Sequence, residues 1–191
     1  MTQTVILASG SPRRRELLAK AGIRFEVVES GVSETRAANE TARDYALRLA
    51  ADKAVTVSTL HRDALVIGAD TIVVCDEVIL EKPADAGEAA RMLQLLSGNT
   101  HIVITAVAIA RGGRVLESEA IESRVTFRAL SDDEIAFYIE TGEPFDKAGG
   151  YGIQGLGGGF ITHVDTVRDN VMGLPVAHVI AALRRQGYRD Q

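Results

Sequence analysis

The segment 5–18, VILASGSPRRRELL, constrains this chain more than any other. An apolar stretch at 5–8 reads as a strand and breaks at Ser9-Gly10-Ser11-Pro12. Arg13, Arg14 and Arg15 then head a helix over about 12–21. Ser11 suits the N-cap, and Pro12 suits the first helical position, where its missing N–H costs nothing. Three cations in a first turn oppose the helix dipole, whose N-terminal end is already positive. Backbone N–H groups, small hydroxyls and guanidiniums converging there make an anion site best suited to phosphate. Taken alone, the arginine run is also compatible with an ordinary solvated basic turn. The strand, glycine turn, Ser-Pro start and arginines together favour phosphate.

The rest of the chain does not extend that basic patch. No block of like charge exceeds the three arginines, and the net charge over 191 residues is −5. A polyanion-binding surface for nucleic acid is therefore not expected, and a local positive patch in an acidic protein points to a small anionic ligand. With 46% apolar and 25% charged residues the composition is that of one ordinary globular domain, 1–191, with two lobes. Cys75 is the only cysteine, so an intrachain disulfide is impossible, and with four histidines a zinc site is not expected. No run approaches membrane-spanning length and no signal-peptide pattern opens the chain, so a cytoplasmic protein without membrane contact is expected.

Periodicity predicts short strands at 25–28, 65–68 and 72–75, a long buried strand at 102–110, and a strand with one wet face at 121–127. Thr41 and Asp44 stand at capping-box spacing before a helix reaching about Ser58, with Tyr45, Leu49 and Ala50 on its inner face. Further helices are predicted at about 86–96, from Ser131-x-x-Glu134 to Gly142, and from Pro175 to about Gln186. Strands and helices mix without strict alternation, which predicts α/β architecture with a mixed, bent sheet rather than a Rossmann repeat.

Asp70 interrupts VIGADTIVV, a run that otherwise reads as core. A buried carboxylate requires a metal, a cation or several hydrogen bonds, unless Asp70 simply sits in a turn between two strands. Glu34 is a second candidate carboxylate or a plain loop acid. Lys53 and Lys82 each read as a solvated lysine alone, yet a triphosphate needs several cations, and these are the candidates. Two acids completed by phosphate oxygens and water suit Mg²⁺ or Mn²⁺. Gly150, Gly152 and Gly155 formally match G-x-G-x-x-G, but a helix precedes them and no βαβ unit follows, so a dinucleotide fold is rejected. Walker A spacing is absent as well. The glycines either form a flexible loop or let backbone approach a ligand, with Gln154 offering donor and acceptor to a base edge.

In order along the chain stand Ser9-x-Ser11-Pro12-Arg13-Arg14, Gly68-Ala69-Asp70-Thr71, Glu81-Lys82-Pro83, Leu96-Ser97-Gly98, Asp146-Lys147-Ala148-Gly149, Tyr151-Gly152-Ile153-Gln154-Gly155 and Val171-Met172-Gly173-Leu174-Pro175. Over essentially its whole length the chain resembles the Maf family of nucleoside triphosphate pyrophosphatases. The resemblance implies a two-lobed α/β fold similar to inosine triphosphate pyrophosphatases, with a central cleft. It also implies hydrolysis of a nucleoside triphosphate to monophosphate and pyrophosphate, and a homodimer. One turn departs from the pattern. Where the family often has Gly-x-Tyr, this chain has Thr166-Val167-Arg168-Asp169.

Three positions that track substrate in the family are Arg13, Thr71 and Gln154 here, and they resemble the branch acting on dTTP and UTP. The branch acting on 7-methyl-GTP carries Trp, Gln and Glu there. The resemblance makes Asp70 the general base and a metal-side carboxylate. Ser9, Arg13, Arg14, Lys53 and Lys82 would hold phosphates, with Glu34 as the second metal candidate and Mg²⁺ or Mn²⁺ as cofactor. The competing readings are the same reaction on 7-methyl-GTP or a modified pyrimidine triphosphate, and a non-catalytic nucleotide-binding regulator of septum formation.

Overall fold

The computed structural model describes residues 3–189. β1 (Val5–Leu7) is followed by α1 (Pro12–Lys20), where the Ser11 side chain accepts from the Arg14 N–H at 3.4 Å and Pro12 occupies the first turn. Gly22 ends the turn with φ 76°. A two-residue strand, β2 (Glu26–Val27), pairs parallel with β1. α2 (Ala42–Leu60) starts at Thr41, whose hydroxyl accepts from the Asp44 N–H at 3.1 Å. It buries Tyr45, Leu49, Ala50, Ala54 and Val57 along one face, and Lys53 among them.

β3 (Leu65–Cys75) pairs parallel with β1, Val5 opposite Leu65 and Leu7 opposite Ile67. The expectation of two strands flanking a turn at Ala69-Asp70-Thr71 is corrected: one strand of eleven residues runs straight through. A carboxylate can stand inside a buried strand when cations lie against it, as they do here (below). β4 (Val78–Leu80) returns antiparallel on β3 through Asp76 and Glu77, at φ 48° and 66°. Positive φ at both central residues is the hairpin turn whose twist matches the strands. After α3 (Ala86–Leu96), β5 (Thr100–Arg111) and β6 (Arg114–Phe127) are joined by Gly112-Gly113, also both at positive φ. α4 (Asp132–Glu140) carries the full capping box between Ser131 and Glu134. β7 (Ile161–Val164) pairs antiparallel with β6, and α5 (Arg168–Val171) and α6 (Val176–Arg185) follow.

The seven strands form one mixed sheet in the order β2-β1-β3-β5-β6-β7, with β4 on β3. The architecture is α/β, as the sequence predicts. The chain divides into two compact units. The first holds the chain through Asp70, Thr105–Ile121 and the stretch from Gly173; the second holds Thr71–Ile104 and Glu122–Met172. In the first unit the core includes Ile6, Leu7, Leu18, Leu49, Leu65, Ile67, Val179 and Leu183. In the second, Leu80, Leu93, Leu96, Val103 and Val125 pack with the aromatic residues Phe127, Tyr138, Tyr151 and Phe160.

Gly68 brings α2 onto β3. A Cβ there would stand 2.1 Å from the Ala50 carbonyl oxygen and 2.8 Å from the Ala54 nitrogen, both backbone atoms. Only glycine permits that approach, and it sets the helix segment carrying Lys53 against the strand carrying Asp70.

Candidate active site

Asp70 is 7% exposed, and Lys53, on the buried face of α2, is 6% exposed. Lys53 Nζ donates to Asp70 Oδ1 at 2.7 Å and to Glu34 Oε1 at 2.6 Å, so one ammonium bridges two carboxylates. Glu34 is the more solvated partner, and its loop is tied down by Tyr45, whose hydroxyl donates to the Glu34 carbonyl at 2.6 Å. Lys53 and Glu34, which the sequence leaves open as a solvated lysine and a loop acid, are here parts of one charge cluster.

Arg14 joins the cluster from α1. Its Nε donates to the Gly173 carbonyl at 2.7 Å, and a terminal nitrogen donates to Ser9 Oγ at 3.2 Å. Ser9 Oγ also accepts from the Ser11 N–H at 3.3 Å. Gly173 adopts φ 102°, backbone that side chains rarely adopt, and in that conformation its carbonyl meets the guanidinium. Of the three arginines, Arg14 makes these contacts, Arg13 is half-buried beside it, and Arg15 is exposed. α1 has no acidic residue in its first turn to offset them.

Desolvation is the largest influence on Asp70 and pushes its carboxyl above the ordinary value; Lys53 and Arg14 pull the other way. Burial similarly lowers Arg14, against the attraction of Asp70 and Glu34. A carboxylate flanked by cations yet raised in pKa is better suited to take a proton than an ordinary aspartate.

Ser9, Arg14, Glu34, Lys53 and Asp70 thus converge within the first unit. Thr71, Lys82 and Gln154 belong to the second. Thr71 is half-buried on β3 directly after Asp70, and Lys82 is exposed on the turn after β4. That turn is joined to the glycine-rich segment: the Gly149 N–H donates to the Glu81 carbonyl at 3.1 Å. Gln154 is exposed on the segment itself. The departing turn at 166–169 is anchored by other means. Thr166 and Ser123 share a hydroxyl–hydroxyl hydrogen bond, and Asn170 Nδ2 donates to Ser123 Oγ at 2.7 Å.

Among the described residues no group of three or more His, Cys, Asp or Glu side chains forms a metal cage. Glu34 and Asp70 each accept from Lys53 through one oxygen, and each carboxylate has a second hard oxygen donor. Such a pair fits a divalent ion whose remaining ligands come from substrate phosphates and water.

Sequence reasoning did not single out Tyr45, Gly68 and Gly173 for the site. Tyr45 reads only as a core-face residue, while Gly68 and Gly173 appear only inside quoted motifs. The available signal was their type and spacing, a glycine in a β-branched strand and a glycine before Leu-Pro.

Residues 4–186 match the family model described as Maf-like protein. The chain belongs to the Maf family. Among Maf relatives, a protein of Koribacter versatilis named dTTP/UTP pyrophosphatase is 51% identical over 96% of this chain and 94% of its own. Proteins with the same name from Salmonella typhimurium and Escherichia coli O157:H7 are 50% and 48% identical, each over 94% of this chain and 91% of their own. Among solved structures, a nucleoside-triphosphatase / dITP/XTP pyrophosphatase from Mycobacterium abscessus aligns distantly, with a TM-score of 0.44 and 15% identity over 96% of this chain and 95% of that one. No helix among the described residues is long and apolar enough to cross a membrane.

Proposed function

We propose that this chain hydrolyses dTTP and UTP to the monophosphate and pyrophosphate. The observation that carries the reading is the buried Asp70–Lys53–Glu34 bridge with Arg14 and Ser9 beside it. A nucleotide-binding regulator needs the cations but has no use for a desolvated carboxylate among them. Relatives about half identical over nearly the whole chain, all named dTTP/UTP pyrophosphatase, support the substrate class.

In this reading Asp70 orients a water and takes its proton as the oxygen attacks the α-phosphorus in line. Arg13, Arg14 and Lys53, with Lys82, neutralise charge building on the departing pyrophosphate, and Ser9 donates to a phosphate oxygen. Lys53 keeps Asp70 ionised until the proton arrives. Glu34 and Asp70 would hold Mg²⁺ or Mn²⁺, which when bound supplies positive charge to the phosphate oxygens. Gln154 is assigned the base edge, since its amide both donates and accepts, as uracil and thymine require. Arg13 and Thr71 complete the substrate-specific set. A cytoplasmic homodimer belongs to the same proposal and rests on family membership.

A nucleotide panel with Mg²⁺ tests it. dTTP and UTP are expected to give monophosphate and pyrophosphate with no diphosphate accumulating. Free phosphate as the first product would overturn the α-attack reading, and preference for a purine triphosphate would overturn the substrate class.

A further inference from the structure

The glycine-rich segment is not a slack loop. Glu143 opens the short helical turn Glu143–Asp146 after α4, and its carboxylate faces back onto that segment. Oε1 accepts from the Tyr138 hydroxyl at 2.9 Å and from the Gly157 N–H at 3.3 Å, and Oε2 accepts from the Leu156 N–H at 2.9 Å. Tyr138, 1% exposed, in turn accepts from the Gly152 N–H at 3.3 Å. The segment 152–157 is therefore held at both ends, with Gln154 exposed between them.

The glycines record the same contact. A Cβ on Gly155 would stand 2.3 and 2.4 Å from the two Glu143 oxygens, and one on Gly157 would stand 2.7 Å from the Tyr138 hydroxyl. On Gly152 it would meet the Lys147 side chain at 2.6 Å. Lys147 itself braces the turn, donating to the Glu143 carbonyl at 2.6 Å and to Asp146 at 2.5 Å. None of these three glycines has the positive φ that would otherwise demand glycine. Backbone wraps the carboxylate closely, and glycine is what lets it.

An amide that distinguishes bases must be aimed, and a segment with three glycines among six residues loses much conformational freedom in being aimed. Fixing it before the ligand arrives lowers that cost on binding. We propose that Glu143, with Tyr138, is a positioning residue that fixes the 152–157 segment and thereby the Gln154 amide that reads the nucleotide base. The inference rests on the assignment of Gln154 above; Glu143 itself touches no substrate.

The test compares kcat/KM for UTP and GTP in the full chain and in Glu143→Gln, Gln154→Ala and the double variant. An amide at 143 has one acceptor oxygen where three donors now meet two. Glu143→Gln is expected to lower the UTP:GTP ratio by about tenfold, the order of one net hydrogen bond. In the double variant the ratio should equal that of Gln154→Ala alone, because Glu143 acts through Gln154. Amide exchange at Leu156 and Gly157 should quicken in Glu143→Gln. Tyr138→Phe keeps the ring against Phe160, 5.0 Å away, and should shift the ratio the same way; it carries the test if Glu143→Gln fails to fold. Should Gln154→Ala lower the ratio while Glu143→Gln and Tyr138→Phe leave it unchanged, or should the two effects simply add, the positioning role is overturned. An unchanged ratio in Gln154→Ala would instead overturn the base-reading assignment.

Discussion

Asp70→Asn separates chemistry from stability at one atom. Asparagine keeps the shape and an oxygen to accept from Lys53, whose second partner, Glu34 at 2.6 Å, still balances the ammonium. Removing one member of a buried pair ordinarily costs about 3–5 kcal/mol, because the other charge is stranded. Here it is not stranded. The sign of the Asp70 shift adds to this: a carboxyl raised above 3.8 in the folded chain stabilises the fold at pH below that value and loses the contribution as pH rises through its folded pKa. At neutral pH the ionised group therefore works against folding, and the neutral amide removes that penalty. The expected melting temperature is unchanged or raised, within about 4 °C, given roughly 2–4 °C per kcal/mol for a chain of this size. Turnover, by contrast, should fall at least about a hundredfold, the low end for losing a general base. Thermal unfolding and pyrophosphate release on the same preparation check both. A variant that keeps most of its turnover, or one that melts about 10 °C or more lower, would make Asp70 a structural ion-pair partner rather than the base.

Two further outcomes follow from the packing. Gly68→Ala drives a Cβ into the α2 backbone, 2.1 Å from the Ala50 carbonyl oxygen. It should destabilise by about 3 kcal/mol or more and lower activity by displacing Lys53, as thermal melting and kinetics would report. His101, buried with its Nε2 2.7 Å from the Tyr151 hydroxyl and its Nδ1 without a partner among the described residues, is held down to about 4 by desolvation. A depressed histidine leaves stability intact above its ordinary 6.5 and removes it as pH falls toward 4, by about 3 kcal/mol at the acid end. Urea midpoints between pH 7 and 4 should slope in the parent and flatten in His101→Phe; parallel slopes would contradict the assignment.

What the sequence disclosed was mostly local. Ser11, Thr41 and Ser131-Glu134 announced helix starts because capping is a contact over three residues, and all three caps are present. The Asp76-Glu77 hairpin went unread because neither central residue is glycine or asparagine, although both take positive φ. The unbroken β3 was hidden by the carboxylate at its middle, whose compatibility with a strand depends on Lys53, 17 positions earlier. Lys53 is a lysine on an apolar helix face, and only the close approach at Gly68 turns it into a bridge between two acids. Arg13, Arg14 and Arg15 look alike in sequence; the Gly173 carbonyl, 159 residues away, distinguishes Arg14. Glu143 before Pro144 reads as an ordinary turn, and its three donors come from elsewhere in the chain. The residue types of the site were legible, and the pairings that give them their chemistry were not.

In the proposed reaction water attacks the α-phosphorus, with pyrophosphate leaving. Turnover of UTP in heavy-oxygen water, followed by mass spectrometry of both products, tests it most directly. One solvent oxygen is expected in the monophosphate and none in the pyrophosphate; label in the pyrophosphate, placed there by attack at the β-phosphorus, would rule out α-attack.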